Sequence, residues 1–372
     1  MKHVVTGLSL SVITLVIMLG VSEITIRQFL DPLDYLQPTI VPDPELGHRI
    51  APHSSGHDAW GYRNRSVPDK AHIVIIGDSQ IYGTASTSES SISSLLHKQL
   101  GDTVYNMALG GYGPAHYSIL LDRAFELSPR IVLLGIYFGN DFMDAFNYVY
   151  NQDHSRFASL RQARFIGADT FRPVVFERAP KKRFEAARDY LARHSVFYRV
   201  VTSKLDFVRK YQQRNSSQSI LDITDKKGDL VHGIALARAK QVDARDPRIE
   251  EGVRLTLHFI EDIKRRCDVN GVKLGVILIP TEFSSFEHEI VSNPSVPVGA
   301  RKAVEDEGRL FDRFYSTLNE RNIRLIDIRK PLQGAIRRGE MVYPVNDGHP
   351  NNHGNQVIAT YIGEQIPIIN AQ

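Results

Sequence analysis

The most apolar stretches of this chain are short and β-branched, and most end in small polar residues. Ile73–Gly77 (IVIIG) runs into Asp78-Ser79, and Thr103–Ala108 (TVYNMA) runs into Leu109-Gly110-Gly111-Tyr112-Gly113-Pro114. Ile131–Phe138 (IVLLGIYF) ends in Gly139-Asn140-Asp141, Lys273–Pro280 (KLGVILIP) opens on a predicted loop from Thr281 to Gly299, and Ile323–Ile328 is a fifth run. Runs this apolar predict strands buried on both faces, as in a parallel sheet. Between them the period changes. Ile92, Leu95, Leu96 and Leu100 keep helical spacing up to Gly101, and Leu120, Leu121, Ala124 and Leu127 mark a helix over Tyr117–Leu127. Ile249, Val253, Leu257 and Ile260 follow the helix-starting pair Asp246-Pro247, a further helix is expected near Lys302–Asn319, and a closing one through about Ile366. Strand–helix alternation with short links implies right-handed crossovers. The expected fold is therefore α/β, a three-layer sandwich around a mostly parallel five-stranded sheet.

Three stretches fall outside this rhythm. Val4 to Ser22 is 19 residues without a charge, preceded by Lys2, and as a helix would span about 28 Å, the thickness of a bilayer core. The run exceeds an ordinary leader core and lacks Ala-x-Ala, so residues 1–22 are expected to be a retained transmembrane signal-anchor; a cleaved leader ending at Gly20-Val21-Ser22 is the alternative. Residues 23–70, with Pro32, Pro38, Pro42, Pro44, Pro52 and Pro68, read as an extended arm in which Trp60–Asn64 packs on the first strand. The main domain is expected over 71–372, with a helical insertion at about 147–245.

That insertion is basic. From Ser155 to Arg214 there are 15 Lys/Arg against 5 Asp/Glu, an excess of +10, so with a net charge of +3 the rest of the chain carries −7. Phe184, Ala187, Leu191, Tyr198, Val201, Leu205 and Val208 place an apolar face on it at three-four spacing. A solvated helix face is one reading; a surface that meets anionic lipid or an acidic polymer is the sharper one. The small overall charge gives no general affinity for nucleic acid. The single cysteine, Cys267, excludes an internal disulfide and a Cys-rich metal site. His353 follows His349 by four residues, but Pro350 lies between them and no third ligand is in view, so no metal or cofactor is expected.

Small polar residues at three strand ends, Ser79, the Gly110–Gly113 loop and Asn140, join a fourth cluster, Asp347 and His349, just before the last helix. Acyl transfer requires these parts: a hydroxyl nucleophile, an imidazole to take its proton, a carboxylate to orient the imidazole, and donors for an oxyanion. On its own, Asp78-Ser79 reads equally well as a helix cap. In order and at strand ends, these blocks resemble the SGNH/GDSL hydrolase superfamily. Gly77-Asp78-Ser79 matches its nucleophile block, Asn106–Gly111 its glycine block, Gly139-Asn140-Asp141 its Asn-Asp block, and Asp347-Gly348-His349-Pro350-Asn351 its Asp/His block. The resemblance covers about Ala71–Asp144 and Leu274–Ile366 and implies a flavodoxin-like sheet. It makes Ser79 the nucleophile, His349 the general base and Asp347 the orienting acid, with Ser79, Gly111 and Asn140 as the oxyanion hole. Two departures stand out. The family's Asp lies three residues before its His, where this chain has Asn346, and the first residue of its Gly-x-Asn-Asp block is here Phe138. Either Asp347 or Asn346 is left to orient His349.

The resemblance implies a serine esterase that cleaves O-acyl groups, O-acetyl first, from cell-envelope carbohydrate through an acyl-serine intermediate, with the catalytic domain periplasmic or extracellular. Two alternatives stay open: a polysaccharide O-acyltransferase using the same triad, and a catalytically silent binding protein that kept the fold.

Overall fold

A computed structural model describes residues 2–151, 155–166, 184–203, 205, 220–224 and 227–370. Nine strands lie among them: β1 Ile40–Asp43, β2 Gly47–Ile50, β3 Ile73–Ile76, β4 Val104–Asn106, β5 Ile131–Tyr137, β6 Ile220–Thr224, β7 Leu230–Ala235, β8 Lys273–Ile279 and β9 Arg324–Asp327. Five of them form one sheet in the order β4-β3-β5-β8-β9. Every pairing in it is parallel, with Ile73 opposite both Val104 and Ile131, Ile131 opposite Lys273, and Gly275 opposite Arg324. The chain starts in β3, steps outward to β4, then returns past β3 to β5. Such a reversal opens a crevice at the carboxyl ends of β3 and β5, where doubly wound sheets hold their ligands.

All seven residues of β5 and all four of β3 are buried, because helices cover both faces. Ile73, Ile75 and Leu133 point to one side and pack with Ile92–Leu100, Arg329–Arg337 and Asn352–Asn370. Val74, Ile76, Val132 and Leu134 point to the other and meet Pro114–Phe125, Pro247–Val269 and Val298–Glu320. The alternation along each strand thus divides a continuous apolar run between two cores.

Several elements differ from the sequence reading. The arm over 23–70 is not simply extended: a short helix Pro32–Tyr35 precedes the antiparallel hairpin β1–β2. Asp43 Oδ1 accepts the Glu45 and Leu46 N–H groups at its turn, and Gly47 sits at φ 71°. Arg63 is buried and donates to the Tyr82, Gly83 and Ser86 carbonyls and to Asp34, locking the arm to the segment after Ser79. The insertion holds helix Glu185–His194 but also the antiparallel hairpin β6–β7. Leu191, Val201 and Leu205 on its apolar face are solvent-exposed; Val208 lies outside the described residues. The stretch after β8 forms two short helices, Glu282–Ser285 and Glu287–Ser292. At the N-terminus, helix Lys2–Ile26 is long and apolar enough to cross a bilayer, and none of its Ser9–Ile26 window is buried. A leader sequence meets the same description.

Candidate active site

Ser79 opens a one-turn helix, Ser79–Tyr82, directly after β3. Asp78 caps it, its Oδ1 accepting the Gln80 N–H at 2.9 Å, so the residue that reads as a helix cap from sequence is one. The cap fixes the serine at the crevice. Asn106 Nδ2 donates to the Ile81 carbonyl, tying the same turn to the end of β4.

His349 reaches it from 270 residues away. Its Nε2 lies 2.8 Å from Ser79 Oγ and its Nδ1 lies 2.6 Å from Asp347 Oδ1. The same oxygen accepts the His349 backbone N–H at 3.0 Å, so a two-residue spacing serves where the family has three: the chain turns back through Gly348. Both ring nitrogens are thereby taken, and Asn346 is solvent-exposed. Burial works against the Asp347 charge, but the bond to His349 outweighs it and holds the carboxyl below its ordinary range.

Two other strand ends flank the serine. A Cβ placed on Gly110 would sit 3.6 Å from Ser79 Cβ, and Gly111 adopts φ 83°, a left-handed conformation that glycine takes without penalty. Asn140, at the end of β5, donates from Nδ2 to Asp144 Oδ2 at 2.8 Å; an amide nitrogen has a second hydrogen free for a ligand. Ser79, Gly111, Asn140, Asp347 and His349 therefore lie on the loops of one crevice.

Beneath them Asp78 and Asp141 are fully buried and Asp144 is half-buried. Burial raises Asp78 to about 6 and Asp144 to about 8, the latter with the charge of Asp78 adding to the effect, and lifts Asp141 well above its usual range. Asp141 accepts from the Tyr137 N–H and the Tyr117 hydroxyl, which makes it a brace for the Asn140 turn. His116 caps its own helix by accepting the Gly113 N–H. His353 pairs with Glu340, and no group of three potential metal ligands occurs among the described residues.

The sequence reading missed the walls of the site. His48, on the arm hairpin, bonds through Nε2 to the Gly110 carbonyl at 3.0 Å and stands 3.3 Å from where a Gly111 Cβ would be. The insertion grips the loop that carries Asp347 and His349. Gly233 N–H donates to the Val345 carbonyl at 2.7 Å, and His232 Nδ1 lies 2.9 Å from the Pro344 carbonyl. The other nitrogen of His232 meets Glu282 Oε1 at 2.9 Å, and Arg238 donates to Glu282 Oε2 at 2.5 Å. A Cβ on Gly348 would lie 2.6 Å from both Arg238 Nη1 and Glu282 Oε2. No periodicity marks these residues. The one available signal was local, the Asp43-Pro44-Glu45-Leu46-Gly47 turn that brings His48 round.

No protein-family model matches the sequence. No curated protein matches it. Among solved structures, a GDSL-like lipase from Bacteroides thetaiotaomicron is 10% identical, with 80% of this chain and 87% of that one covered at a TM-score of 0.36. Phospholipase A1 from Streptomyces albidoflavus is 13% identical over 80% of this chain and 98% of its own, at 0.37. A carbohydrate esterase family 2 enzyme from Corynascus thermopiles is 11% identical over 82% and 68%, at 0.37. Scores and identities this low leave the chemistry to be argued from the residues themselves.

Proposed function

We propose that this chain is a serine ester hydrolase of the SGNH/GDSL type, held at a membrane by its N-terminal helix and acting on small O-acyl esters of carbohydrate. One observation carries the reading: the continuous line from Asp347 Oδ1 through the His349 ring to Ser79 Oγ, with links of 2.6 and 2.8 Å. A surface serine has no need of an imidazole, and an imidazole has no need of a half-buried carboxylate held in its ionised form; the three together are the parts of a nucleophile.

In the proposed reaction Ser79 Oγ attacks the ester carbonyl as His349 Nε2 takes its proton. Asp347 stabilises the imidazolium that forms. The Ser79 and Gly111 N–H groups and Asn140 Nδ2 receive the negative oxygen. His349 then protonates the departing sugar oxygen, and water, activated by the same nitrogen, releases the acid from acyl-Ser79. The walls favour a small acyl group and a polar leaving group. His48 closes over Gly111 on one side, and Arg238 with Glu282 crowds Gly348 on the other; neither is the apolar channel a long acyl chain requires. Retention of the N-terminal helix is favoured by its uncharged run of 19 residues, Val4 to Ser22, which exceeds an ordinary leader core and lacks Ala-x-Ala. If the deacylating acceptor is a sugar hydroxyl instead of water, the same acyl-Ser79 serves an acyltransferase.

The test is hydrolysis of p-nitrophenyl acetate and of acetylated xylo-oligosaccharide by the full chain in detergent, with a fluorophosphonate probe. Wild type should take one probe at Ser79, and Ser79→Ala should take none and lose at least about a thousandfold in turnover. A folded wild-type chain that neither labels nor hydrolyses would make it a binding protein.

A further inference from the structure

The apolar helix and the insertion are joined where the helix ends. In its last turn Glu23 accepts from Ser195 Oγ at 2.8 Å and from the Val196 and Phe197 N–H groups at 2.9 Å each. Arg27 donates to the His194 carbonyl at 2.7 Å. Just beyond, Gln37 N–H donates to the Ala192 carbonyl at 2.9 Å and Arg199 to the Tyr35 carbonyl at 3.0 Å. Six hydrogen bonds to Glu23, Arg27, Tyr35 and Gln37 thus fix the stretch 185–203 beside the point where the apolar helix stops.

That stretch presents apolar side chains outward. Leu191 and Val201 are exposed, Leu205 is 54% exposed, and Phe29, three residues past the helix, is 82% exposed. Leu191 lies one helical turn, about 6 Å along the axis, from Ser195, which touches Glu23. An interfacial helix buries its apolar face by about 5–10 Å at the boundary between headgroups and acyl chains. Residues 185–205 themselves have four basic side chains, Arg188, Arg193, Arg199 and Lys204, against Glu185 and Asp189, and the +10 excess belongs to the longer segment 155–214 that contains them. Apolar side chains on a basic element, tied to the exit of a span, match the chemistry of an anionic lipid surface.

We propose that residues 185–203 with Leu205 form a second membrane contact, lying in the interface of the same anionic bilayer that holds Lys2–Ile26. This rests on retention of that helix. Two points of attachment, unlike one, stop the catalytic domain from turning about its stalk, and so give the Ser79 crevice a fixed attitude to the membrane.

The test uses the full chain reconstituted into phosphatidylglycerol/phosphatidylethanolamine vesicles and into phosphatidylcholine vesicles. Single cysteines replace Val16, Leu191, Val201 or Glu364 and carry an environment-sensitive fluorophore; Cys267 is buried and gives little background. Labels at Leu191→Cys and Val201→Cys should lose at least about half their emission to shallow doxyl-lipid quenchers in the anionic vesicles and clearly less in the neutral ones. Val16→Cys should respond to deep quenchers in both, and Glu364→Cys to none. If the 191 and 201 labels stay water-like while the 16 label is quenched, the second contact is overturned and the anchor stands. Labels that are dry but unquenched would mean a protein partner or a second copy, and overturn it too. Equal quenching in both lipids overturns the anionic requirement. A chain isolated with its N-terminus at Glu23 removes anchor and contact together.

Discussion

Neutralising Asp347 isolates what its charge contributes. Asp347→Asn keeps the size and an acceptor oxygen for His349 Nδ1 but leaves no charge opposite the imidazolium formed during attack. Two unit charges about 4 Å apart attract by about 4 kcal/mol at an effective dielectric constant near 20. The Asp347 side chain is 43% exposed, so solvent removes part of this and about 3 kcal/mol remains. At 1.36 kcal/mol per tenfold in rate, that is about two orders of magnitude. A wrongly oriented or wrongly tautomerised ring adds to it, and in serine-protease triads the full Asp-to-Asn loss reaches about ten-thousand-fold. Asp347→Asn should therefore lower kcat by about 10²–10⁴ with little change in KM, and slow fluorophosphonate labelling of Ser79 by a similar factor. Asn346→Ala, which touches neither ring nitrogen, should stay within about threefold of wild type. Kinetics on p-nitrophenyl acetate decide it. If Asp347→Asn keeps more than about a tenth of the activity, or Asn346→Ala loses more than Asp347→Asn, the charge-stabilised triad is wrong.

Gly348→Ala should cost about a hundredfold in kcat, since its Cβ would meet the Arg238 guanidinium and a Glu282 carboxylate that is itself bonded to His232, and a shift of about 1 Å in the catalytic loop suffices for that loss; activity near wild type would show that the wall yields. Arg238→Met should lower kcat more than it raises KM, with partial recovery in Arg238→Lys; no recovery would exclude the charge as the cause. For Asp144 the sign follows from its raised carboxyl: protonated, it favours the folded state, a contribution present below the ordinary carboxylate pKa near 4 and lost as pH climbs through about 8. Asp144→Asn should accordingly raise Tm over wild type at about pH 9, with the gap closing toward about pH 4; a gap that does not depend on pH would contradict the burial of that carboxyl.

What could be read from the sequence was what is local. The β-branched run Ile73–Ile76 declares a doubly buried strand, and Gly101, at φ 72°, ends the helix whose spacing it punctuates. Ser79, Gly111, Asn140 and the Asp347–His349 pair were legible because each sits where a strand or loop hands over to a helix, with its chemistry in adjacent letters. His48, His232, Arg238 and Glu282 were not, because their roles exist only between distant positions: Arg238 and Glu282 are 44 apart, His232 and Glu282 are 50 apart, and His48 and Gly110 are 62 apart. The hairpin β1–β2 was hidden by its prolines. Pro42 weighs against a strand, yet a two-stranded ribbon has free edges where a missing N–H costs nothing.

The separation of Ser79 from His349 also sets a timetable. At about 5–20 residues per second, the 270 residues between them take roughly 14–54 s to synthesise. Through that interval Ser79 exists without His349, which arrives on a loop closed by the helix Asn352–Asn370, docked on Ile92–Leu100. On the proposed mechanism a nascent chain therefore carries the hydroxyl without the imidazole that takes its proton. Reactivity would begin only once the stretch 347–349 has been made and docked, which makes late synthesis a built-in delay.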